Sequence, residues 1–163
     1  MDLNAEISYP SASTTRAFEL IVDPEFRAAV CAATSALDYD VRVDQHDDGR
    51  ASVVVKRTMP AEVPDFARRF VGETVDVRQS EEWSAAGSGG RRTADITVDI
   101  VGQPARMVAT AVLEPVGQGC REVVTGSLTV SIPFIGRKLE PEIAKGILAA
   151  MAKEQQVGET WLG

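Results

Sequence analysis

The chain contains few residues with the chemistry that catalysis requires. Its single histidine, His46, lies in the sequence His46-Asp47-Asp48-Gly49 between two strand-like segments. A histidine beside a carboxylate can act as a general acid–base pair, but an Asp-Gly step is also typical of an exposed hairpin turn. We interpret this segment as a solvated turn and predict no catalytic residue.

Sites for metals and cofactors are also not indicated. A zinc site needs several converging His, Cys or carboxylate ligands, whereas the chain has one histidine and two distant cysteines, Cys31 and Cys120. No P-loop, dinucleotide fingerprint or Gly-Xaa-Ser-Xaa-Gly elbow is present. The glycine-rich segment 87–90 is interpreted as a turn, because no helix follows it whose amides could bind a phosphate. We predict no metal, no cofactor and two buried thiols.

Polar side chains that share a face with apolar ones are the strongest candidates for a binding site. They are Arg57, Gln79, Glu81, Glu122 and Glu154. Buried charges are costly unless they are paired, so such positions can bind the polar end of a ligand in an apolar pocket. Alternatively, they lie at strand or helix ends that reach solvent, or pair with one another. The sequence leaves both interpretations open.

The charge balance and the apolar pattern exclude some classes of partner. The chain has 17 basic and 24 acidic residues, a net charge of −7, whereas nucleic-acid binders usually carry a clustered basic surface. No apolar run reaches the roughly 18 residues needed to span a membrane, and residues 1–6 do not resemble a signal peptide. We expect a cytoplasmic protein without nucleic-acid or integral membrane partners. Its oligomeric state stays open.

Seven segments alternate apolar and polar residues with the period of two that predicts half-buried strands. They are residues 2–9, 38–44, 51–55, 74–83, 93–100, 107–113 and 124–132. Tight turns join most of them, which predicts an antiparallel meander. Gly126 falls inside the last segment and is interpreted as a bulge.

Helical segments interrupt and end this series of strands. Ser13 and the Asp23-Pro24 pair are typical helix starts and predict two short helices after the first strand. Residues 64–70 predict a third short helix. From Gly136 onward, a period of 3.6 residues predicts a long helix whose apolar side consists of Leu139, Ile143, Ile147, Ala150 and Met151. The apolar face of the sheet needs a partner, and only this helix is long enough to supply it.

Several segments resemble a known superfamily, and the resemblance covers the whole chain. They are Tyr9-Pro10, Phe18, Asp23-Pro24, residues 64–72, Glu82-Trp83, residues 133–140 and Trp161-Leu162. With the order of elements, they resemble the START-related helix-grip superfamily (SRPBCC), and more narrowly a small bacterial family within it that has no assigned function. The resemblance implies one α+β domain over residues 1–163. Its helix-grip fold has a seven-stranded curved antiparallel sheet around a long C-terminal helix, with two short helices after strand 1.

The resemblance also implies a hydrophobic cavity between the sheet and the C-terminal helix. Phe66 and Phe70 are interpreted either as a lid over its mouth or as the side by which their helix packs on the sheet. The small side chains of Ala105, Ala109 and Ala111 leave space for a cavity. We predict that the ligand-binding walls consist of Phe66, Phe70, Val75, Val77, Gln79, Glu81, Ile96, Val98, Met107, Ala109, Glu122, Val124, Leu128, Ile143, Ile147 and Met151.

Members of the superfamily include lipid and sterol carriers, binders of hormones and polyketides, aromatic-ring cyclases and chaperone-activating domains. The fold alone therefore does not select a function. Because no catalytic group is indicated, the sequence favours binding or transport of an apolar small molecule, such as a lipid or a polyketide-like compound. One alternative is a cyclase or aromatase that uses Gln79, Glu81 or Glu122 to orient its substrate. The other is a protein–protein adaptor that binds through the sheet or through Phe66 and Phe70.

Overall fold

The alternating segments form seven consecutive antiparallel strands in the computed structural model, which describes residues 1–163. The curved sheet has the order β1-β7-β6-β5-β4-β3-β2, so β1 pairs with the last strand and all other neighbours follow the chain. The strands are β1 Asp2–Tyr9, β2 Asp38–Gln45, β3 Ala51–Pro60, β4 Thr74–Trp83, β5 Arg92–Ile100, β6 Ala105–Val116 and β7 Gly119–Val130. The predicted helix-grip fold is confirmed.

Four α-helices occupy the predicted positions, and the first two begin as their capping residues indicate. They are α1 Thr14–Ile21, α2 Pro24–Ala33, α3 Asp65–Val71 and α4 Gly136–Leu162. Ser13 Oγ accepts a hydrogen bond from the backbone N–H of Arg16 at 3.1 Å, and Asp23 Oδ1 accepts one from Glu25 at 2.8 Å. These bonds satisfy amide groups that a helix start otherwise leaves without partners. No helix in the chain has both the length and the apolarity needed to cross a bilayer.

The interpretation of Gly126 as a bulge is wrong. Gly126 pairs with Ala109 on β6 and Leu3 on β1 in a register that continues without interruption on both sides. A Cβ atom at this position would lie 2.4 Å from the backbone oxygen of Val108 and 2.5 Å from Cβ of Ala109. A glycine is therefore required by the close approach of β6. The last strand also ends at Val130, two residues earlier than predicted.

Small residues determine how α4 lies on the sheet. The helix packs against β1, β7 and α2. Ala144 and Gly158 are both buried, and a Cβ atom at Gly158 would lie 2.7 Å from Cε1 of Tyr9. The backbone N–H of Ser8 also donates to Gln155 Oε1 at 2.8 Å, which joins β1 directly to α4. Because α4 contacts this side of the sheet, space remains between α4 and the strands on the other side.

Candidate functional site

A cavity of about 810 Å³ lies between α4 and the concave face of the sheet. Side chains from α2 and from the segments around α3 complete its walls. Of its 39 lining residues, 24 are hydrophobic, so the interior is predominantly apolar. The large apolar side chains that α4 contributes to its wall include Ile143, Ile147 and Met151. They are only half-buried, because they border the cavity as well as packing against the main hydrophobic cluster.

Most of the residues predicted to form the cavity walls do line this space. They are Val75, Val77, Gln79, Glu81, Ile96, Val98, Met107, Glu122, Val124, Ile143, Ile147 and Met151. Ala109 and Leu128 do not line it and need correction. Both are buried in the main hydrophobic cluster, which also contains Ala144 of α4. Facing inward is therefore not sufficient for a side chain to reach the cavity.

Phe66 and Phe70 also lie outside the cavity walls. They are 45% and 46% exposed, whereas Ala67 between them is fully buried. Because residues four apart share one side of a helix, both phenylalanines lie on a different side of α3 from Ala67. Val63, just before the helix, and Val71, its last residue, line the cavity instead. The prediction that Phe66 and Phe70 line the cavity has to be corrected.

A buried arginine connects three elements at the polar end of the cavity. Arg27 of α2 donates from Nη2 to Glu81 Oε1 on β4, and from Nη1 to Glu154 Oε1 on α4 at 3.3 Å. The side chains of Arg27 and Glu81 are only 6% and 3% exposed. Burial opposes the charge of the guanidinium, but the facing carboxylates, with Glu81 first, raise the pKa of Arg27 above its ordinary value. Arg27 is therefore a permanent buried cation.

Glu81 is the most fully bonded group of this cluster. Besides Arg27, it accepts hydrogen bonds from Gln79 Nε2 at 2.6 Å and from Trp83 Nε1 at 2.8 Å. Gln79 Oε1 in turn accepts from Arg57 Nη2 at 2.9 Å. These polar residues therefore pair with one another and also border the cavity, so the two interpretations left open by the sequence apply together.

Glu122 differs from the other buried carboxyl groups because no protein group bonds to it. It is 6% exposed, lines the cavity, and has no hydrogen bond or ion pair. Burial raises its pKa well above the ordinary value, and the negative charges of Glu154 and Glu81 raise it further, against the opposing effect of Arg27. Burial also raises the pKa of Glu154, although Arg27 lowers it. Glu122 is the carboxyl group most easily protonated in the cavity.

Tyr9 of β1 contributes a second polar group without a partner. Its hydroxyl is buried and has no hydrogen bond. Burial raises the pKa of Tyr9 far above its usual range, and Glu154 and Glu122 add to this effect, so the hydroxyl keeps its proton. In the β1–β7 register Ile7 pairs with Glu122 and Tyr9 with Cys120, so Tyr9 and Glu122 lie on the same face of the sheet. The Tyr9 ring also lies against Gly158, one helical turn from Glu154 on α4. These three side chains therefore share one region, which we call the acidic corner.

The remaining chemically reactive side chains do not form a further site. His46 lies on the exposed β2–β3 turn, with Nε2 3.5 Å from Ser52 Oγ. Both cysteines are buried free thiols. Burial raises the pKa of Cys120 to about 11, with a contribution from Glu122, and burial also raises the pKa of Cys31. No group of three or more His, Cys, Asp or Glu side chains is arranged to hold a metal ion.

The sequence analysis did not identify Arg27 as a candidate site residue. A signal was available in the spacing of α2. Arg27, Val30, Cys31 and Thr34 stand at positions i, i+3, i+4 and i+7 of one helical side, and all four line the cavity. A long cation on that side of a helix could have been expected to need an acidic partner in the core.

Comparison with known proteins places the chain in a family. The family described as "Protein of unknown function (DUF2505)" matches residues 4–162. The chain belongs to this family. A relative of this DUF2505 protein is "Uncharacterized protein Rv0481c" from Mycobacterium tuberculosis, which is 31% identical over 122 residues, 73% of this chain and 70% of the relative.

Solved structures share the fold of this DUF2505 protein. TTHA0849 from Thermus thermophilus superposes with a TM-score of 0.64 at 20% identity, over 98% of this chain and 95% of that chain. The STAR-related lipid transfer protein from Xanthomonas axonopodis superposes with a TM-score of 0.58 at 14% identity, over 95% and 85% of the two chains. The chain therefore has the helix-grip fold of these structures.

Proposed function

We propose that this protein binds and transports an apolar small molecule, such as a lipid or a polyketide-like compound, in the cavity between the sheet and α4. The size of the cavity carries this proposal. A volume of about 810 Å³ lies within the range of about 300–1,000 Å³ that is usual for small-molecule pockets. Its mostly apolar walls favour an apolar ligand.

The polar cluster and the likeness to a lipid transfer protein agree with this proposal. Binding pockets usually combine apolar walls with a few polar groups that orient the ligand, as Arg27, Glu81 and Glu122 do at one end of the cavity. The Xanthomonas neighbour is named a lipid transfer protein. A cytoplasmic location, expected from the sequence, is part of the proposal and is tested by cell fractionation.

Ligand binding can be tested with a matched pair of α4 variants. Ala150 lines the cavity, whereas Ala152, two residues further along the same helix, is exposed and does not. We expect Ala150→Trp to fill part of the cavity and weaken binding of the neutral fluorophore Nile red about ten-fold or more. Ala152→Trp should leave binding unchanged. Equal binding by both variants would contradict the proposed site.

The natural ligand can be sought in protein purified from its own host. Native mass spectrometry should show an added mass that solvent extraction releases, and the Ala150→Trp variant should carry less of it than Ala152→Trp. A chain that is consistently free of bound compounds, and that does not bind Nile red, would refute the carrier function.

An enzymatic function of the cyclase or aromatase type is supported by one observation, the unpartnered carboxyl group of Glu122. A carboxyl group with a raised pKa in a water-poor pocket can act as a general acid. This alternative predicts that Glu122→Gln abolishes conversion of a polyketide-like test substrate while the variant still binds it. Conversion at an unchanged rate would exclude Glu122 as the acid.

A further inference from the structure

The acidic corner contains polar groups that the protein itself leaves unsatisfied. Glu122 is 94% buried, as its exposure of 6% shows, and its carboxyl group borders the cavity without a partner. The hydroxyl of Tyr9 is buried nearby, also without a partner. Buried polar groups are bonded in most proteins, and each one left unpaired costs about 1–3 kcal/mol. A partner for Glu122 is therefore missing from the chain and can reach it only through the cavity.

The charges around Glu122 determine which partner is compatible. Both Nη atoms of Arg27 are already used, one by Glu81 and one by Glu154. The Arg57 guanidinium bonds to Gln79. With Glu122 ionised, three carboxylates would face these two cations, and with Glu122 protonated the charges balance. The protonated form is therefore the one that the surrounding charges favour.

We propose, on the basis of the carrier function above, that Glu122 binds the ligand as a neutral carboxylic acid that donates a hydrogen bond to an uncharged oxygen. The buried end of the ligand would then be a ketone, an ester or an alcohol, and its apolar body would lie along Ile143, Ile147 and Met151. A fatty-acid carboxylate is disfavoured, because its charge would lie beside Glu154 and Glu81 with no cation free of a carboxylate or amide partner. A protonated amine is disfavoured, because it must lose its hydration and displace the proton of Glu122.

Binding should depend on pH through Glu122 and its neighbours. The groups that face Glu122 are Glu154 on α4, Glu81 on β4, Arg27 on α2, Tyr9 on β1 and Cys120 on β7. Arg27, Tyr9 and Cys120 keep their protons near neutral pH, because their pKa values are raised. Affinity for a neutral acceptor should therefore fall as the pH rises through the raised pKa of Glu122, since the carboxylate can no longer donate.

A series of ligands with one chain length and different head groups tests this inference. We would measure displacement of Nile red by 2-dodecanone, dodecanoate, dodecylamine and the headless control dodecane. The variants are Glu122→Gln, which keeps a donor, Glu122→Leu, which removes it, and Glu82→Leu. The last is a matched control, because Glu82 lies on the exposed outer face of β4. Thermal unfolding of each variant establishes that it is folded.

The expected result is specific to the hydrogen bond. 2-Dodecanone should bind the wild type most tightly of the four compounds. Glu122→Leu should weaken this binding about five-fold, the value of one net hydrogen bond, with no effect on dodecane. Glu122→Gln should retain the affinity and lose the pH dependence, and Glu82→Leu should behave as the wild type.

Three results would overturn the inference, and they differ from failure of the carrier function. Tightest binding of dodecanoate, lost in an Arg57→Gln variant, would show that the site binds anions through Arg57. Tightest binding of dodecylamine, lost in Glu122→Gln, would show that Glu122 acts as a carboxylate. Equal loss of dodecane and ketone binding in Glu122→Leu would also refute a hydrogen bond. If no compound displaces Nile red and Ala150→Trp binds it like Ala152→Trp, the carrier function itself fails.

Discussion

Arg27 bonds to two of the three carboxyl groups at this end of the cavity, Glu81 and Glu154. Replacing it with methionine therefore tests the electrostatic interpretation of the cavity. Methionine keeps much of the apolar length of the side chain but cannot neutralise Glu81 or Glu154. Removing one partner of a buried ion pair usually costs about 3–5 kcal/mol, because the other charge remains buried without compensation. Arg27→Met should therefore destabilise the folded state considerably.

The contacts of Glu81 and Glu154 indicate that the lower end of the range of about 3–5 kcal/mol applies. Glu81 keeps two neutral donors in the variant, Gln79 Nε2 and Trp83 Nε1. Glu154 has no hydrogen bond other than the one from Arg27. One carboxylate is thus left without a partner instead of two, and we expect a loss of about 3 kcal/mol near pH 8.

The loss should become smaller in acid. Removing the guanidinium, which lowers the pKa of Glu154, raises the pKa of that carboxyl group further in the folded variant. A folded-state pKa above the unfolded value of about 4.3 means that the folded chain binds more protons in the interval between the two values. Stability therefore decreases as the pH rises through this interval and recovers as the pH falls. The defect of Arg27→Met should be smaller at pH 5 than at pH 8.

Urea unfolding followed by circular dichroism at both pH values measures this effect. Arg16→Met is the matched control, because Arg16 pairs with Glu19 at 3.0 Å on the exposed side of α1, and such pairs contribute less than about 1 kcal/mol. The double variant Arg27→Met/Glu154→Met removes the orphaned charge and should recover at least half of the loss. If Arg27→Met costs no more than Arg16→Met at pH 8, the cluster is not the buried ion pair that its geometry indicates.

Three further predictions concern other parts of the structure. Glu122→Gln should be more stable than the wild type at pH 8 and equal to it near pH 4, as measured by urea unfolding at both pH values. The reason is that the raised folded-state pKa of Glu122 destabilises the folded chain only above the unfolded value of about 4.3. Gly126→Ala should lower the free energy of unfolding by about 2 kcal/mol or more, because its Cβ would lie 2.4 Å from a backbone oxygen. In contrast, Gly146→Ala, with no atom within 4 Å of its Cβ, should raise it by about 0.5–1 kcal/mol, and thermal melts would separate the two. Cys120, whose pKa is about 11, should react with Ellman's reagent at pH 8 far more slowly in the folded protein than in urea.

The strands and the first two helices were predictable because their causes are local. Alternation of side chains follows directly from the strand backbone, and Ser13 and Asp23 act on amides only two or three residues away. The role of Gly126 was not predictable in this way. It depends on how closely β6 approaches at Val108 and Ala109, and a glycine in a strand pattern is compatible with either a bulge or a close contact.

The sequence could predict which side chains face the inside of the sheet, but not which of them reach the cavity. Alternation correctly placed Glu81 and Glu122 on the inward side of the sheet, next to Val124 and the other apolar wall residues. It could not indicate that Leu128 would be buried in the core instead, because this depends on where α4 lies across the strands. The prediction that Phe66 lines the cavity was wrong for a related reason. An isolated short helix shows which residues share a side, but not which side its neighbours cover.

The Arg27 cluster has a further consequence for the cavity, because it connects α2 to both β4 and α4. A buried ion pair is often no more stabilising than apolar side chains of the same volume, so stability alone does not account for Arg27, Glu81 and Glu154. Long, mutually bonded side chains can keep α4 at a distance from the sheet that apolar residues would close by packing. We therefore expect the triple variant Arg27→Met/Glu81→Met/Glu154→Met to fold, with a loss of about 1–3 kcal/mol because the buried Trp83 Nε1–H loses its acceptor. It should bind Nile red at least about five-fold more weakly, as its helix moves toward the sheet. A folded triple variant with unchanged affinity would show that the helix is held in place by its contacts with β1 and β7 alone.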